Sequence, residues 1–488
     1  MILRTYFLPI IFGFVGIFSF APFSIKPLLF GSLAYLIHIA IYEKNSKLLK
    51  IFLWGIGHWG FGMSWIIVSI YYYGKSDILT SLILYLLLVS TLTLVFTLPL
   101  YFLSKYLDLH IGNNKIILTT VVSSILLILE YTRGISLNGV PWLIPGNIFV
   151  DTYTQNIFSY LGVSFGSFLI YIIATLIAIN WKKINVNLIY VIFALLFFTI
   201  PENKKIETNN YDLSFSIIQS SLDPFNKYEN DYYLTIEQRL LDLYENRVSK
   251  NIDLIIFPEA ELPYSLQDNR FNSFLDKINN NEEVLIGAWS YENNNLFNSI
   301  YSKKSMESYK KQSLVPFGEY IPFSSFLRGL IDFFDLPMSN VSKGPENQEN
   351  IKILNNIEVS TPICFDIAFT NKIRKMNKSS LFMVNISNDT WFGNSIGPYQ
   401  HLTIARIRAI ENNRWTIRAT NNGITAIIDN KGTIVDYLAK NQIDVLEGDL
   451  KFIYEPSFYN KYGYFLIFLL PFITLVLFSI RFYAKKNI

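Results

Sequence analysis

A chain of 488 residues that is 51% hydrophobic and only 16% charged is too apolar for an ordinary soluble protein, in which charged residues make up about 25%. A net charge of +3 without a basic stripe excludes a nucleic-acid surface as its main business, and a single cysteine excludes an internal disulfide. The apolar excess lies before Pro201 and after Tyr462, which leaves a middle region of mixed, globular composition.

A bilayer-spanning helix needs about 20 mostly apolar residues. Eight segments qualify in chain order: 6–23, 28–42, 51–73, 79–103, 116–131, 157–179, 186–200 and 464–480, the second and seventh being short. The first is read as a retained helix, because no small-residue cleavage site follows it. Basic residues fall on alternate connections: Arg4, then Lys44, Lys47 and Lys50, then Lys105 and Lys115, then Lys182 and Lys183, and finally Arg481, Lys485 and Lys486. The intervening loops carry only Lys26, Lys75 beside Asp77, and Arg133. Positive charge marks the cytoplasmic side, so the middle region is expected outside the cytoplasm. The expected organisation is a membrane domain over 1–206, an extracytoplasmic domain over 207–462, and a final membrane helix with a basic tail over 463–488.

Within the spans, the glycine-rich run 55–65 is read as a close helix-packing surface. The connection 133–155, with Gly139-Val140-Pro141-Trp142, reads as re-entrant at the membrane interface, and Glu130 with Arg133 as an ion pair at the membrane boundary. The Asn-rich patches 279–281 and 293–295 read as polar surface loops, and no internal repeat is evident.

From Leu213 onward, short β-rich runs alternate with helical ones. Strands are expected at 213–219, 254–257, 284–288, 298–301, 359–364, 381–386 and 424–429, and helices at 231–248 and 401–412. Apolar strands interleaved with helices predict an α/β domain whose sheets are covered. Three chemistry-bearing residues stand at predicted strand ends: Glu259, Lys311 and Cys364. A thiolate is a nucleophile whose pKa a nearby cation lowers. A carboxylate can move its proton, and an ammonium can stabilise an oxyanion. Each has a structural alternative: Glu259 as a turn cap, Lys311 as a solvated charge, Cys364 as core padding.

Longer motifs surround these residues: Pro258-Glu259-x-x-Leu262-Pro263, Lys311-x-x-Leu314-Val315-Pro316-Phe317-Gly318-Glu319-Tyr320, Pro362-Ile363-Cys364, and Ile386-Ser387-Asn388-Asp389-x-Trp391-Phe392-Gly393. The last continues through Gly397-Pro398-Tyr399-Gln400-His401-Leu402 and Ala405-Arg406-x-Arg408-Ala409-x-Glu411 to Arg418-Ala419-Thr420-Asn421-Asn422-Gly423. The ensemble resembles a nitrilase-type carbon–nitrogen hydrolase domain, and within that superfamily the bacterial apolipoprotein N-acyltransferases. The resemblance extends to Phe20-Ala21-Pro22-Phe23, the glycine-rich third span, and Arg133 through Pro141-Trp142.

This resemblance implies a polytopic α-helical membrane domain plus an α/β nitrilase-like αββα sandwich. It implies Glu259 as general base, Lys311 as oxyanion partner and Cys364 as nucleophile, without a cofactor or metal. Glu319, Asn388 and Trp391 match residues around the family's site. Cys364-Phe365-Asp366 stands where the family usually has Cys-Tyr-Glu, and Tyr228 where it has a tryptophan; Phe365, Asp366 and Tyr228 are therefore expected at the substrate. Asp366 can alternatively be a helix cap, and Glu261 is expected at the surface. The implied reaction moves an acyl chain from a phospholipid to Cys364 and then to the α-amine of a diacylglyceryl cysteine on an apolipoprotein, at the periplasmic face of the inner membrane. A membrane-anchored amidase that passes the acyl group to water is the alternative enzyme. A transporter with an inert outer domain is the non-enzymatic one; it would want buried ionisable residues in its spans, and His38 and His58 are the main candidates.

Overall fold

The computed structural model describes residues 3–74, 76–102, 114–136, 139–198, 200–201, 211–223, 226–229, 231–278, 281–321, 340–354 and 356–486. Lys75, Lys105, Asn279, Asn280 and the ends of two expected spans, at 103 and 199, lie outside them. The chain divides into two compact units, one from described residues within 1–67, 77–203 and 462–488, the other from those within 68–76 and 204–461.

The first unit is helical. Every segment expected to span the membrane carries helix, but their lengths differ. Ile78–Phe102, Lys115–Arg133 and Tyr153–Ile179 are each long and apolar enough to cross a bilayer. The expected third span is instead broken, its halves Lys47–Gly62 and Trp65–Tyr72 meeting at a 55° bend. Thr5–Ile17, Pro27–Tyr42, Ile184–Leu195 and Phe465–Ile480 are shorter apolar helices.

The glycines of the third segment do pack helices. A Cβ at Gly57 would collide with the Ile10 carbonyl, and one at Gly13 with the Trp54 carbonyl, so Leu8–Ile17 and Lys47–Gly62 touch backbone to backbone. Gly60, on another face, has nothing nearer than Val89 Cγ1 at 3.8 Å. The connection after Arg133 folds back into this unit, burying Trp142, Leu143, Ile148 and Phe149. Glu130 and Arg133 are both buried, but no ion-pair contact joins them among the described residues. Glu130 Oε2 accepts the Tyr171 hydroxyl at 2.9 Å. Arg133 donates to the Trp142 carbonyl at 3.2 Å and lies over the Trp59 ring.

The second unit is a four-layer α/β sandwich. Its strands are β1 (Leu213–Gln219), β2 (Leu254–Phe257), β3 (Glu283–Glu292), β4 (Asn295–Ser302), β5 (Ser308–Lys310), β6 (Ile351–Ile353), β7 (Ile357–Ser360), β8 (Phe382–Ser387), β9 (Thr416–Thr420), β10 (Thr425–Ile428), β11 (Ile434–Leu438) and β12 (Asp444–Leu450). One sheet runs β12-β1-β2-β3-β4-β5, the other β11-β10-β9-β8-β7-β6. In each, three parallel strands carry two antiparallel strands on one side and one on the other. The two halves thus repeat one pairing scheme, with β12 closing the first sheet as β6 closes the second. No sequence periodicity announces this repeat.

Side-chain alternation sets the layers. Phe215, Ile217, Leu254 and Ile256 face Val384, Ile386, Ile417 and Ala419 in the core between the sheets. Ile218, Ile255, Phe257 and Ile286 point the other way, onto Ile236, Leu240 and Leu243 of the helix Tyr232–Arg247 and onto Phe271 and Phe274 of Asn269–Leu275. Each such side chain contributes about 1.5–3 kcal/mol on burial. Thr370–Met376 and Gly397–Asn412 pack against each other, and the latter also contacts β9 of the second sheet. The expected strand over 359–364 stops at Ser360. Pro362 has no amide hydrogen to continue a ladder, and Cys364 opens a short 3-10 helix, Cys364–Ala368.

Candidate active site

Glu259 follows β2, Lys311 follows β5, and Cys364 sits just beyond β7. The sandwich brings these strand ends together. Lys311 Nζ lies 3.1 Å from Glu259 Oε1 and 2.8 Å from Glu319 Oε1. Asn298 of β4 donates its amide to the same two oxygens, at 2.6 and 3.2 Å. The remaining oxygens accept backbone amides: Glu259 Oε2 from Asn388 at 2.6 Å, Glu319 Oε2 from Val315 at 2.8 Å. All three charged groups are buried or nearly so, so neither carboxylate is a surface cap and the lysine is not solvated. Gly287 makes room for this cluster, since a Cβ there would sit 2.6 Å from Glu259 Cα.

The backbone at Cys364 is left-handed, with φ +47, a conformation that costs a non-glycine residue roughly 1–2 kcal/mol. It turns the chain sharply from strand to helix. Lys311 and Glu259 are both within electrostatic reach of the thiol. Burial pushes the Cys364 thiol far up and Glu259 pushes it further, outweighing the downward pull of Lys311. The expectation of a cation-lowered thiol is therefore reversed: the thiol rests protonated and needs a base. Burial disfavours the Lys311 ammonium, but the negative charges facing it outweigh that and hold it well above its ordinary pKa: Cys364 once it is a thiolate, and the Glu259 and Glu319 carboxylates. Burial also raises the Glu319 carboxyl, against the opposing pull of Lys311.

The other expected residues divide between the site and its scaffold. Asn388 supplies its amide to Glu259 and its side chain to the turn, accepting the Thr390 amide at 3.3 Å. Trp391 is partly exposed, and its carbonyl accepts the Ser69 hydroxyl at 2.8 Å. Tyr228 is exposed, and its hydroxyl accepts the Trp289 indole N–H at 3.2 Å. Phe365 packs edge-on to Phe369. Asp366 is fully buried. Its carboxylate accepts the amides of Ser313 at 2.6 Å and of Gln312 and Ile363 at 3.4 Å, with Tyr309 and Lys372 beside it. It caps its own short helix and also ties that helix to the segment after Lys311.

Glu261 is a correction. It is 1% exposed, not at the surface; one oxygen accepts the Ser220 hydroxyl at 2.7 Å, and burial raises its carboxyl to about 7. Asn298 was missed, because β4 mixes polar and apolar residues and nothing local marks this amide among Asn295, Ser299 and Ser302. Among the described residues no group of His, Cys, Asp or Glu side chains is arranged to hold a metal ion.

Two family models match this chain: the apolipoprotein N-acyltransferase N-terminal domain over residues 12–176, and carbon–nitrogen hydrolase over 235–454. The chain is 33% identical over 470 residues to the apolipoprotein N-acyltransferase of Pasteurella multocida, covering 88% of this chain and 86% of that one. The Haemophilus influenzae and Vibrio parahaemolyticus proteins of that name are 31% and 30% identical, covering 88% and 93% of this chain and 86% and 93% of their own lengths. The chain belongs to the apolipoprotein N-acyltransferase family. It is a membrane-embedded acyltransferase with a nitrilase-like domain. In this N-acyltransferase the cluster of Glu259, Lys311, Glu319 and Cys364 is the candidate active site.

Proposed function

We propose that Cys364 carries the acyl group as a thioester between a phospholipid donor and the α-amine of an S-diacylglyceryl cysteine on an apolipoprotein. The observation that supports this most is the lone thiol on a strained turn, electrostatically coupled to a buried Lys311 that bridges two carboxylates. Because the thiol rests protonated, Glu259 takes its proton as Sγ attacks the donor ester carbonyl. The Lys311 ammonium stabilises the oxyanion of the tetrahedral intermediate. Collapse breaks the ester C–O bond, and the lysophospholipid leaves with the proton returned from Glu259. The lipoprotein amine then attacks the thioester, Glu259 accepts its proton, and the C–S bond breaks to give the amide and, once reprotonated, the free thiol. Glu319 and Asn298 hold Lys311 and Glu259 in register. Tyr228 and Trp391, with Phe365, are read as the lipid-facing rim, and Asp366 as a support rather than a substrate contact.

The basic residues on alternate connections support a multi-pass arrangement in the inner membrane with the catalytic unit on the periplasmic side, where both lipid substrates are found. Boundaries near 206 and 462 separate the membrane and catalytic regions in this reading. The test is intact-mass analysis of the purified full-length protein mixed with phospholipid, then chased with a diacylglyceryl peptide. An acyl adduct on wild type, absent from Cys364→Ala and discharged onto the peptide, is expected. An adduct surviving in Cys364→Ala overturns the nucleophile, and discharge to water alone overturns the acceptor.

A further inference from the structure

The turn that presents Cys364 is held from beneath by a polar network that takes no part in the proposed chemistry. Arg418, in the middle of β9, is fully buried. One end of its guanidinium donates to the Asn385 side-chain oxygen at 2.5 Å, and Asn385 donates to the Pro362 carbonyl at 3.0 Å. Its other end donates to Asp389 Oδ2 at 2.6 Å and meets His401 Nδ1 at 3.0 Å. His401 Nε2 lies 3.3 Å from the carbonyl of Cys364 itself. Two turns further along the same helix face, Arg408 Nε donates to the Ile367 carbonyl at 3.0 Å. The carbonyls of Pro362 and of Cys364 itself are thus both reached from Arg418, through Asn385 and His401.

A carbonyl oxygen only accepts, so the Cys364 contact requires a hydrogen on Nε2. Nδ1 lies 3.0 Å from Arg418, which donates to it in a neutral ring, and 3.1 Å from Asp389 Oδ1, which accepts from it in a charged one; Nε2 carries its hydrogen in both. Burial and then Arg418 lower the His401 pKa, in keeping with the neutral ring, while Asp389 works in the opposite direction.

We infer that His401 is a positioning residue for the nucleophile: through Nε2 it fixes the Cys364 carbonyl and so keeps Sγ aimed between Glu259 and Lys311. This rests on the reading of Cys364 as the acylated residue. A left-handed residue persists only where its surroundings over-determine it, and misplacing a reacting atom by about 1 Å costs on the order of a hundredfold in rate.

The test compares full-length wild type, Cys364→Ala, His401→Phe and His401→Gln in detergent micelles with phosphatidylethanolamine, reading the acyl-enzyme rate by intact mass. The inference expects His401→Phe, which keeps the bulk but removes the donor, to slow acylation by about tenfold or more, in line with the cost of misplacement. Its half-saturating phospholipid concentration should stay within about threefold of wild type. His401→Gln, whose amide can reach the same carbonyl, should recover most of the rate. Acylation of His401→Phe at the wild-type rate, with none in Cys364→Ala, overturns the positioning role and leaves the nucleophile standing. An adduct in Cys364→Ala overturns the nucleophile reading itself. Should His401→Phe not fold, Asn385→Ser, which weakens the hold on the Pro362 carbonyl, is judged by the same rate and saturation criteria.

Discussion

Asp366 Oδ1 accepts the backbone amide of Ser313 at 2.6 Å, joining the segment that carries Cys364 to the one that carries Lys311. The two side chains proposed to carry the chemistry come from different parts of the sandwich, and this buried carboxylate ties their segments together. Removing it leaves the buried amides of Ser313, Gln312 and Ile363 without this acceptor, at about 1–3 kcal/mol for each unsatisfied group, and takes from Lys372 its paired charge. Asp366→Ala is expected to lower the acylation rate about tenfold or more and to reduce thermal stability by several degrees. Asp366→Asn, which keeps one acceptor, should fall between it and wild type. Stopped-time intact-mass assays and thermal unfolding check both.

Electrostatics make an opposite pair of predictions for Glu259 and Lys311. The Glu259 carboxylate holds the Cys364 thiol up and Lys311 pulls it down. Glu259→Gln should therefore speed iodoacetamide alkylation of Cys364 at pH 8 by about three- to tenfold, since one pKa unit is a factor of ten in thiolate. The same variant should lose acyl transfer by about a hundredfold or more through loss of the base. Lys311→Met should slow both reactions. The single cysteine makes the mass shift unambiguous.

Glu261 gives a pH signature in stability. Its carboxyl is raised to about 7 in the folded chain from 4.5. Folding therefore favours the protonated form, so its contribution is full below pH 4.5 and is lost as pH rises through 7. The loss is on the order of 3 kcal/mol. Glu261→Gln is expected to raise the unfolding midpoint relative to wild type at pH 8 by more than it does at pH 5. Equal differences at both pH values would contradict the raised carboxyl.

The membrane unit offers an internal control. A methyl group at Gly57 meets the Ile10 carbonyl, whereas one at Gly60 meets only Val89 Cγ1 at 3.8 Å. Gly57→Ala should lower the thermal midpoint in detergent by several degrees, as overpacking costs about 1–3 kcal/mol. Gly60→Ala should be close to neutral.

The sequence by itself determined a good deal. Apolar runs long enough for a bilayer, short buried runs such as β1 and β2, and the motifs around Glu259, Lys311 and Cys364 were all legible, because each is a local pattern. Strand β9 was not, since Arg418 interrupts its apolar run, and β12 was hidden by Glu447 and Asp449 on its more open positions. The three-residue strands β5 and β6 are too short to show a period. Only the tertiary structure decided which polar residues face the thiol. Asp366 and Glu261 read as site or surface residues until burial showed one as a brace and the other as an enclosed acid. The direction of the Cys364 shift likewise depended on burial and on Glu259 together outweighing Lys311, a balance of distances and solvent exclusion that no spacing along the chain contains.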